Sequence, residues 1–408
     1  MRPLEEVRAE VLATVRRLEF ERVAIHEAVG RVLAASVTAS EDVPPFANSA
    51  MDGFALRADD VEEPGSVLEI IEDVPAGQVA SMEVGEGEAT RIMTGAPMPP
   101  GADTVVRVED TSVEDAKLLV SVSVPIGNHV RPAGGDVSAG QVVFEAGARL
   151  TAMHVGVLAT IGVVEPLVSR RPRVGLMSTG DELMPADTAS LGPGMIRDSN
   201  RPMLAALLEG AGAEVVDYGS VPDDAAYLEA ALGRAAVETD VIVTSGGVSM
   251  GDYDVTKLVL SGDAGVDFMQ VAMKPAKPFG FGVLGGAPFF GLPGNPVSAF
   301  VSFEQFVRPA LLSMQGATAI LRPRVGAVAG EPMSSDPAKV EFLRVRVGES
   351  EGSLTAVHAG GQDSNVLSAA ANADAFAIIP LGVERVEAGD PIILELFHSR
   401  ETRSVDDT

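Results

Sequence analysis

The segment with the clearest potential for chemistry runs from Thr244 to Lys257 and reads TSGGVSMGDYDVTK. It follows the apolar run 241–243, which predicts a buried parallel strand, and it precedes 255–260, which predicts the start of a helix. Glycines in such a turn let backbone N–H groups approach a ligand closely, and the helix N-terminus adds the positive end of its dipole. The segment therefore predicts an anion site.

The groups expected to bind a ligand on this loop are Ser245, Gly246, Gly247 and Ser249. Asp252 and Asp254 follow at once, and acidic residues beside a phosphate site usually hold a bridging divalent cation. The simpler interpretation, a glycine-rich turn that only connects a strand to a helix, stays open at this point.

Two further polar loops each follow a predicted strand. STGDEL, at 178–183, supplies Glu182, and GLPGNP, at 291–296, supplies Pro293, Gly294 and Asn295. Because ligands of open α/β sheets bind beyond the carboxyl ends of the strands, the three loops are expected to meet at one edge. Asp223, at the start of a predicted helix, belongs to the same inventory.

Two lysines, Lys274 and Lys277, lie in an extended, proline-containing segment that could aim both ammonium groups at one pocket. The alternative is a solvated surface pair. Together with the glycine loop and the carboxylates, these lysines suit phosphoryl or nucleotidyl chemistry, which depends on positioning and charge neutralisation. No GxGxxG motif opens the first unit and no Walker loop is present, so a dinucleotide site is disfavoured.

Composition excludes several classes of function. The formal charge of −28 argues against nucleic acid or an anionic membrane as a partner. The chain has no Cys, and its five His never fall at metal-ligand spacing, so any metal should have oxygen ligands, which favours Mg²⁺. No signal peptide and no apolar run long enough to span a membrane is present, so a cytoplasmic location is expected.

The order of patterns predicts a multidomain α/β plus β protein. Residues 1–41 are expected to form two helices, and Thr151 is expected to cap another. Residues 172–315 alternate strand and helix, which predicts a three-layer α/β/α domain with a mostly parallel sheet. The expected division is a discontinuous helical domain (1–41 and 135–170), an inserted β domain (42–134), the α/β domain (171–317) and a small C-terminal β-barrel (318–408).

Seven motifs in order carry a family resemblance: PPFANSAMDGFA, RIMTGAPMPPGADTVV, VRPAGGDVSAGQ, STGDEL, SGGVSMGDYDVTK, MKPAKPFGFG and GLPGNPVSA. Together they resemble the MoeA family of molybdopterin molybdenumtransferases, which includes the E domain of gephyrin. The resemblance covers nearly the whole chain and implies a MogA-like fold for the α/β domain. It also implies insertion of molybdate into adenylylated molybdopterin with Mg²⁺-dependent release of AMP, in a homodimer that acts after a MogA-like adenylyltransferase.

The resemblance also implies roles for residues at matching positions. The expected site residues are Asp52, Thr94, Asp136, Glu182, Asp223, Asp254, Lys274, Lys277, Arg344 and Ser364. Glu182 and Asp254 would hold the metal, and the two lysines would bind oxyanion and phosphate. Arg344 and Ser364, in the C-terminal region, would reach into the site from the partner subunit.

This sequence departs from the family pattern at four positions. Gly135 stands where the family usually has Glu, Gln270 where a basic residue is frequent, Ala276 where KPGKP has Gly, and Asp363 where Gly is common. An alternative function therefore stays open, a MoeA- or gephyrin-like dimeric scaffold that binds a partner peptide. The acidic positions and lysines of the motifs favour the enzyme.

Overall fold

The computed structural model describes residues 1–248, 255–260, 265–350 and 352–397. Of the expected site residues, Ser249, Asp252 and Asp254 lie outside this part of the chain. The α-helices within it are α1 Leu4–Thr14, α2 Ala152–Thr160, α3 Asn200–Gly210, α4 Ala225–Glu238, α5 Val255–Leu260, α6 Pro296–Ser302, α7 Arg308–Met314 and α8 Leu367–Ala371. Within the described ranges, none of the helices is long and apolar enough to cross a membrane.

The region before residue 150 is rich in short strands. They are β1 Phe20–Arg22, β2 Val37–Thr38, β3 Asn48–Ser49, β4 Gly53–Leu56, β5 Ser66–Val74, β6 Glu88–Ile92, β7 Thr104–Arg107, β8 Thr111–Glu114, β9 Lys117–Val120, β10 Val130–Arg131 and β11 Val142–Phe144. Six of them form one sheet in the order β7-β4-β6-β5-β9-β8. Its buried face carries Phe54, Leu68 and Leu118, which confirms the predicted β character of this region.

The prediction of a second helix within residues 1–41 is wrong. After α1 the chain, all of it described here, forms β1, a 3-10 turn at Ile25–Glu27 and β2. Gly30 turns the chain at φ +80°, and Leu33 and neighbouring apolar residues pack against Leu150, Leu158 and Val168. The apolar residues of this segment follow a pattern that is consistent with a helix, but the segment is extended. The residues that it packs against lie more than a hundred positions away in the sequence, so the local pattern does not reveal them.

Helix α1 packs away from that cluster. Leu4, Val7 and Val11 are buried in the core of the α/β sheet. The guanidinium of Arg8 donates to the backbone carbonyl of Gln305 over 3.1 Å, and it also bonds the Gln305 side chain. The boundaries of the four expected domains stay predictions, and we propose that α1 be grouped with the α/β part.

The central sheet positions the polar loops. The strands of this region are β12 Leu167–Ser169, β13 Arg173–Thr179, β14 Leu183–Met184, β15 Ile196–Arg197, β16 Glu214–Val221, β17 Val241–Ser245, β18 Val266–Gln270, β19 Met273–Lys274, β20 Pro278–Leu284 and β21 Ala287–Leu292. Six form a sheet in the order β16-β13-β17-β21-β20-β18. The first four are parallel, and β20 runs antiparallel to both of its neighbours, β21 and β18, so β18 runs in the same direction as the first four. The predicted mostly parallel sheet is confirmed.

Helices cover both faces of this sheet, because successive side chains of a strand point to opposite faces. Leu176 of β13 and Val243 of β17 pack in the cluster that contains α1, α3, α6 and α7. Met177 and Ile242, the adjacent residues, pack against α4 and α5. The predicted three-layer α/β/α arrangement is confirmed. The last helical segment of this part is interrupted, because Phe303–Val307 forms a π-helical turn between α6 and α7.

The C-terminal region forms a closed barrel. Its strands are β22 Arg324–Ala329, β23 Met333–Ser334, β24 Val340–Ser350, β25 Ser353–His358, β26 Ala375–Ile379, β27 Arg385–Val386 and β28 Pro391–Leu396. Five of them pair in the cyclic order β24-β25-β22-β28-β26, and β26 returns to β24. The predicted small β-barrel is confirmed. Strand β19 joins β24 in parallel, with Lys274 opposite Glu341, so the lysine segment is attached to the barrel.

Asp240 holds the chain in place at the start of β13, where the chain enters the central sheet. Both of its carboxylate oxygens accept hydrogen bonds of 2.6 Å from Arg170, and one also accepts the backbone N–H of Arg173 over 2.8 Å. Burial by itself would raise the pKa of Asp240, but the bonds from Arg170 and Arg173 outweigh burial, so the pKa lies below its usual value.

Replacing Asp240 with Asn should lower the free energy of unfolding by about 2 kcal/mol at neutral pH, because a charge-assisted bidentate pair is lost. A depressed folded-state pKa stabilises the protein above the unfolded-state pKa of about 4, and this stabilisation disappears as pH falls through the folded-state value. Urea denaturation at pH 7 and pH 3 should therefore show a difference that shrinks in acid. Asp59→Asn, at an exposed side chain, is the control. A difference independent of pH would contradict this account.

Candidate active site

The three polar loops meet at the carboxyl edge of the parallel strands. They enclose a cavity of about 740 Å³. The expected site residues that line it are Glu182, Asp223, Ser245, Gly246, Gly247, Pro293, Gly294 and Asn295. The predicted convergence of STGDEL, the TSGG turn and GLPGNP is therefore confirmed for the described residues.

The turn after β17 can be formed only by glycine. Gly246 and Gly247 have φ values of +95° and +71°, a region that L side chains rarely adopt. A Cβ at Gly247 would lie 1.9 Å from the hydroxyl oxygen of Thr256, and one at Gly246 would lie 2.5 Å from the carbonyl oxygen of Thr179. The sequence therefore needs glycine here for the close contact between the turn and its neighbours, whatever ligand it binds.

Asn200 connects two of the loops and was not among the expected site residues. Its amide nitrogen donates to the Ser245 hydroxyl over 2.8 Å and to the Gly294 carbonyl over 2.7 Å. Its side chain is buried and lines the cavity. The DSN segment at 198–200 is typical of a helix start, and its position after STGDEL is the signal available in the sequence. Replacement of Asn200 would leave the loops without their bridge.

Asp198 has a related role. Its buried carboxylate accepts hydrogen bonds from the Ser178 hydroxyl and from the backbone N–H and side chain of Arg201. Ser178 is the first residue of STGDEL, so Asp198 fixes the start of that loop. Asp198 was likewise missed as a site residue, because its distance in sequence from Ser178 conceals the contact.

Besides Asp198, two acidic residues line the cavity, Glu182 and Asp223. The Glu182 side chain folds over Gly180, where an added Cβ would lie 2.4 Å from a Glu182 carboxylate oxygen. Asp181 and Asp223 exchange hydrogen bonds: the N–H of Asp223 donates to Asp181 over 3.0 Å, and the N–H of Asp181 donates to Asp223 over 3.4 Å. Within the described ranges, no group of three or more His, Asp or Glu side chains is arranged to hold a metal. The second expected metal ligand, Asp254, lies outside those ranges.

Asp52 and Thr94 form a pair on the N-terminal β-sheet. A carboxylate oxygen of Asp52 accepts the backbone N–H of Thr94 over 2.7 Å and its hydroxyl over 2.8 Å. These two bonds hold the pKa of Asp52 below its usual value, so the residue is a stable anion at neutral pH. Neither residue lines the cavity of its own chain, and the same is true of Asp136, whose N–H donates to the Val43 carbonyl over 2.9 Å.

The lysines lie at the junction of sheet and barrel. Lys274 forms an ion pair of 2.9 Å with Glu341, which is buried, and the carbonyl of Lys277 accepts the N–H of Val271 over 2.7 Å. Neither lysine lines the cavity, although Pro278 does. Between them, Ala276 is buried at φ +78°, a conformation that glycine adopts more easily. This explains why glycine suits the position that Ala276 occupies here.

Arg344 and Ser364 make contacts within their own chain, and their expected entry into the partner's site stays a prediction. The Ser364 hydroxyl accepts a 2.9 Å hydrogen bond from the Asn295 side chain, and its carbonyl accepts the N–H of Val297 over 3.0 Å. Arg344 is fully buried, and among the described residues its guanidinium donates to the carbonyl groups of Phe342, Gly361 and Asp363 at 3.2–3.4 Å. Burial lowers the pKa of Arg344 to about 10. The barrel of one chain thus supports the GLPGNP loop of the same chain.

Three family models match consecutive parts of the chain. They are the MoeA N-terminal region (domain I and II) at residues 2–162, the probable molybdopterin binding domain at 175–313 and the MoeA C-terminal region (domain IV) at 326–397. The matches follow one another in the order in which the helical, β, α/β and barrel parts occur in the structure. Together they cover most of the chain.

Similar proteins agree with these matches. Molybdopterin molybdenumtransferase 2 of Mycobacterium tuberculosis (strain ATCC 25618 / H37Rv) is 39% identical over 399 residues, 95% of this chain and 98% of that protein. Molybdopterin molybdenumtransferase of Haemophilus influenzae is 36% identical, covering 92% and 93%. The crystal structure of the molybdopterin biosynthesis moeA protein from Pyrococcus horikoshii OT3 superposes with a TM-score of 0.83 at 30% identity, covering 97% and 100%. The chain therefore belongs to the MoeA family of molybdopterin molybdenumtransferases.

Proposed function

We propose that this chain inserts molybdenum from molybdate into adenylylated molybdopterin, with Mg²⁺-dependent release of AMP. The observation that carries the proposal is the cavity of about 740 Å³. The glycine turn after β17, the STGDEL loop, the segment that carries Asp223 and the GLPGNP turn meet there. Backbone amides of such a turn suit a phosphate, and the cavity volume suits a ligand of nucleotide size. Family membership supports molybdopterin as the substrate class.

The molybdate side of the site would lie toward the barrel. Arg344 is a buried guanidinium, and no carboxylate of the described residues lies within ion-pairing distance of it. A buried cation without a counter-ion is costly, so an oxyanion close to Arg344 and Ser364 would gain from its field. Lys274 and Lys277 would add positive charge to the same side, since β19 pairs with the strand that carries Arg344.

The carboxylates present fit Mg²⁺, which prefers oxygen ligands and usually takes one or two carboxylates together with substrate phosphate. Glu182 lines the cavity, and its carboxylate accepts no hydrogen bond from the described residues. We propose Glu182 and Asp254 as the protein ligands. When bound, the metal would neutralise phosphate charge as AMP leaves. Asp223 would orient the STGDEL loop through its exchange of hydrogen bonds with Asp181.

A homodimer would bring the Asp52–Thr94 pair to the cavity of the second subunit. In this pair the Asp52 carboxylate is held in place by the N–H and the hydroxyl of Thr94, yet both residues lie outside the cavity of their own chain. Asp136, in the same part of the chain, would accompany it. The sharing of a site between subunits would explain why residues expected to act together are separated within one chain.

The direct test is conversion of adenylylated molybdopterin by the purified chain with molybdate and Mg²⁺, followed as AMP released and active cofactor formed. Molybdate-dependent AMP release is the expected result, and omission of Mg²⁺ should abolish it. Binding of the adenylylated substrate without turnover would contradict the proposal. Absence of binding would instead favour the alternative of a gephyrin-like scaffold for a partner peptide.

A further inference from the structure

The barrel turn at 360–365 reaches the cavity through its last residue, Asn365. Asn365 lines the cavity, and Ser364 is bonded to Asn295 of the GLPGNP loop. On its other side the turn is anchored by Arg344, which donates to the carbonyl oxygens of Gly361 over 3.4 Å and Asp363 over 3.3 Å. A charge carried by this turn therefore acts on both Arg344 and the cavity.

Asp363 carries such a charge. Its side chain is exposed, and its carboxylate forms no hydrogen bond or ion pair with the described residues. Two carboxylates act on Arg344, those of Glu341 and Asp363, and both raise its pKa against the larger effect of burial. Glu341 is itself paired with Lys274, whereas the Asp363 charge is uncompensated. Asp363 therefore offsets part of the positive charge that an incoming oxyanion would encounter.

We propose that Asp363 is a specificity-determining residue whose negative charge weakens the binding of dianionic oxyanions more than that of monoanionic oxyanions. The inference rests on the proposed function, which has an oxyanion bind close to Arg344 and Ser364. The physical reason is that Coulomb repulsion is proportional to ligand charge. At a separation of roughly 8 Å in water, removal of one unit charge tightens binding of a dianion about sixfold and of a monoanion about two- to threefold.

Molybdate and perrhenate provide the comparison, because both are tetrahedral tetraoxo anions and they carry two charges and one. We would measure the dissociation constant of each anion by titration calorimetry for the wild type and for Asp363→Asn, which removes the charge and keeps the side-chain shape. The expected gain in affinity is larger for molybdate, and it shrinks when salt is raised from about 0.02 M to 0.5 M, because exposed charges are screened.

Glu349→Gln is the matched control. Glu349 is also an exposed acid on β24, but it lies five residues beyond Arg344, about 17 Å along an extended strand. By the same Coulomb relation it should tighten molybdate binding by at most about twofold, clearly less than the roughly sixfold expected for Asp363→Asn. Urea denaturation should show that Asp363→Asn retains wild-type stability, which separates a charge effect from a change in the turn.

Three outcomes decide the matter. If the wild type binds molybdate, Arg344→Met loses that binding, and Asp363→Asn changes nothing, the inference is overturned while the proposed oxyanion site stands. Equal gains for molybdate and perrhenate would also overturn it, because a charge effect must depend on ligand charge. If neither the wild type nor Asp363→Asn binds molybdate, the proposed site fails and the inference fails with it.

Discussion

Mixing the Asp52→Ala and Glu182→Ala variants should restore about a quarter of the wild-type rate of AMP release, although each variant alone has lost at least a hundredfold. In the proposed dimer each site takes the Asp52–Thr94 pair from one subunit and the cavity with Glu182 from the other. About half of the dimers in an equal mixture are heterodimers. In each of these, one site carries both lesions and the other carries none.

The matched control combines Glu182→Ala with Asp223→Ala. Both residues line the cavity of one chain, so every site in a heterodimer of these variants has one lesion, and no activity should return. Asp73→Ala removes another exposed carboxylate of the Asp52 sheet and should leave the rate unchanged. If subunits demonstrably exchange and the first mixture stays inactive, Asp52 does not act across the dimer.

Gly247→Ala should weaken nucleotide binding more than tenfold and destabilise the chain, whereas Gly286→Ala should lower the free energy of unfolding by only about 1–2 kcal/mol. Both glycines have positive φ, +71° and +97°, so both substitutions carry the same backbone penalty. They differ in space: an added Cβ at Gly286 meets no atom within 4 Å, but at Gly247 it would lie 1.9 Å from the buried Thr256 hydroxyl. The turn must therefore shift, and the cavity it lines must change.

Two measurements separate the contributions. Urea denaturation gives the free energy of unfolding of each variant, and equilibrium titration with AMP gives its affinity. We expect Gly247→Ala to lose more than tenfold in AMP affinity and Gly286→Ala to retain wild-type affinity. Equal losses of stability together with unchanged AMP binding in both variants would show that the Thr256 contact does not shape the cavity.

Much of the α/β part could be predicted from the sequence, because its signals are local. Apolar runs such as 241–243 mark buried parallel strands, and Asp224 caps α4 through its own side chain, as expected for a helix start. The order of strands and helices then requires the polar loops to follow the carboxyl ends of the strands. The cavity and most of its predicted lining follow from these local rules.

Other predictions failed or missed residues because the deciding contacts are distant in sequence. The segment after α1 forms strands, since β1 and β2 pair with β12 and β11 across more than a hundred residues. Asn200 joins Ser245 to Gly294, and Asp198 holds Ser178. No periodicity encodes such pairs. They exist only when the packed sheet brings the loops together.

The sequence by itself determined the strand and helix pattern of the α/β part, the glycine turn at 246–247 and the side-chain chemistry available to the site, because propensity, caps and turn conformations act over a few residues. Tertiary structure alone decided which of those groups meet. It joined Asp52 to Thr94, Lys274 to Glu341 and Ser364 to Asn295. It also brought Asn365 to the lining of the cavity and bonded Arg344 to the turn that precedes Asn365, because closure of the barrel and its pairing with β19 are long-range contacts.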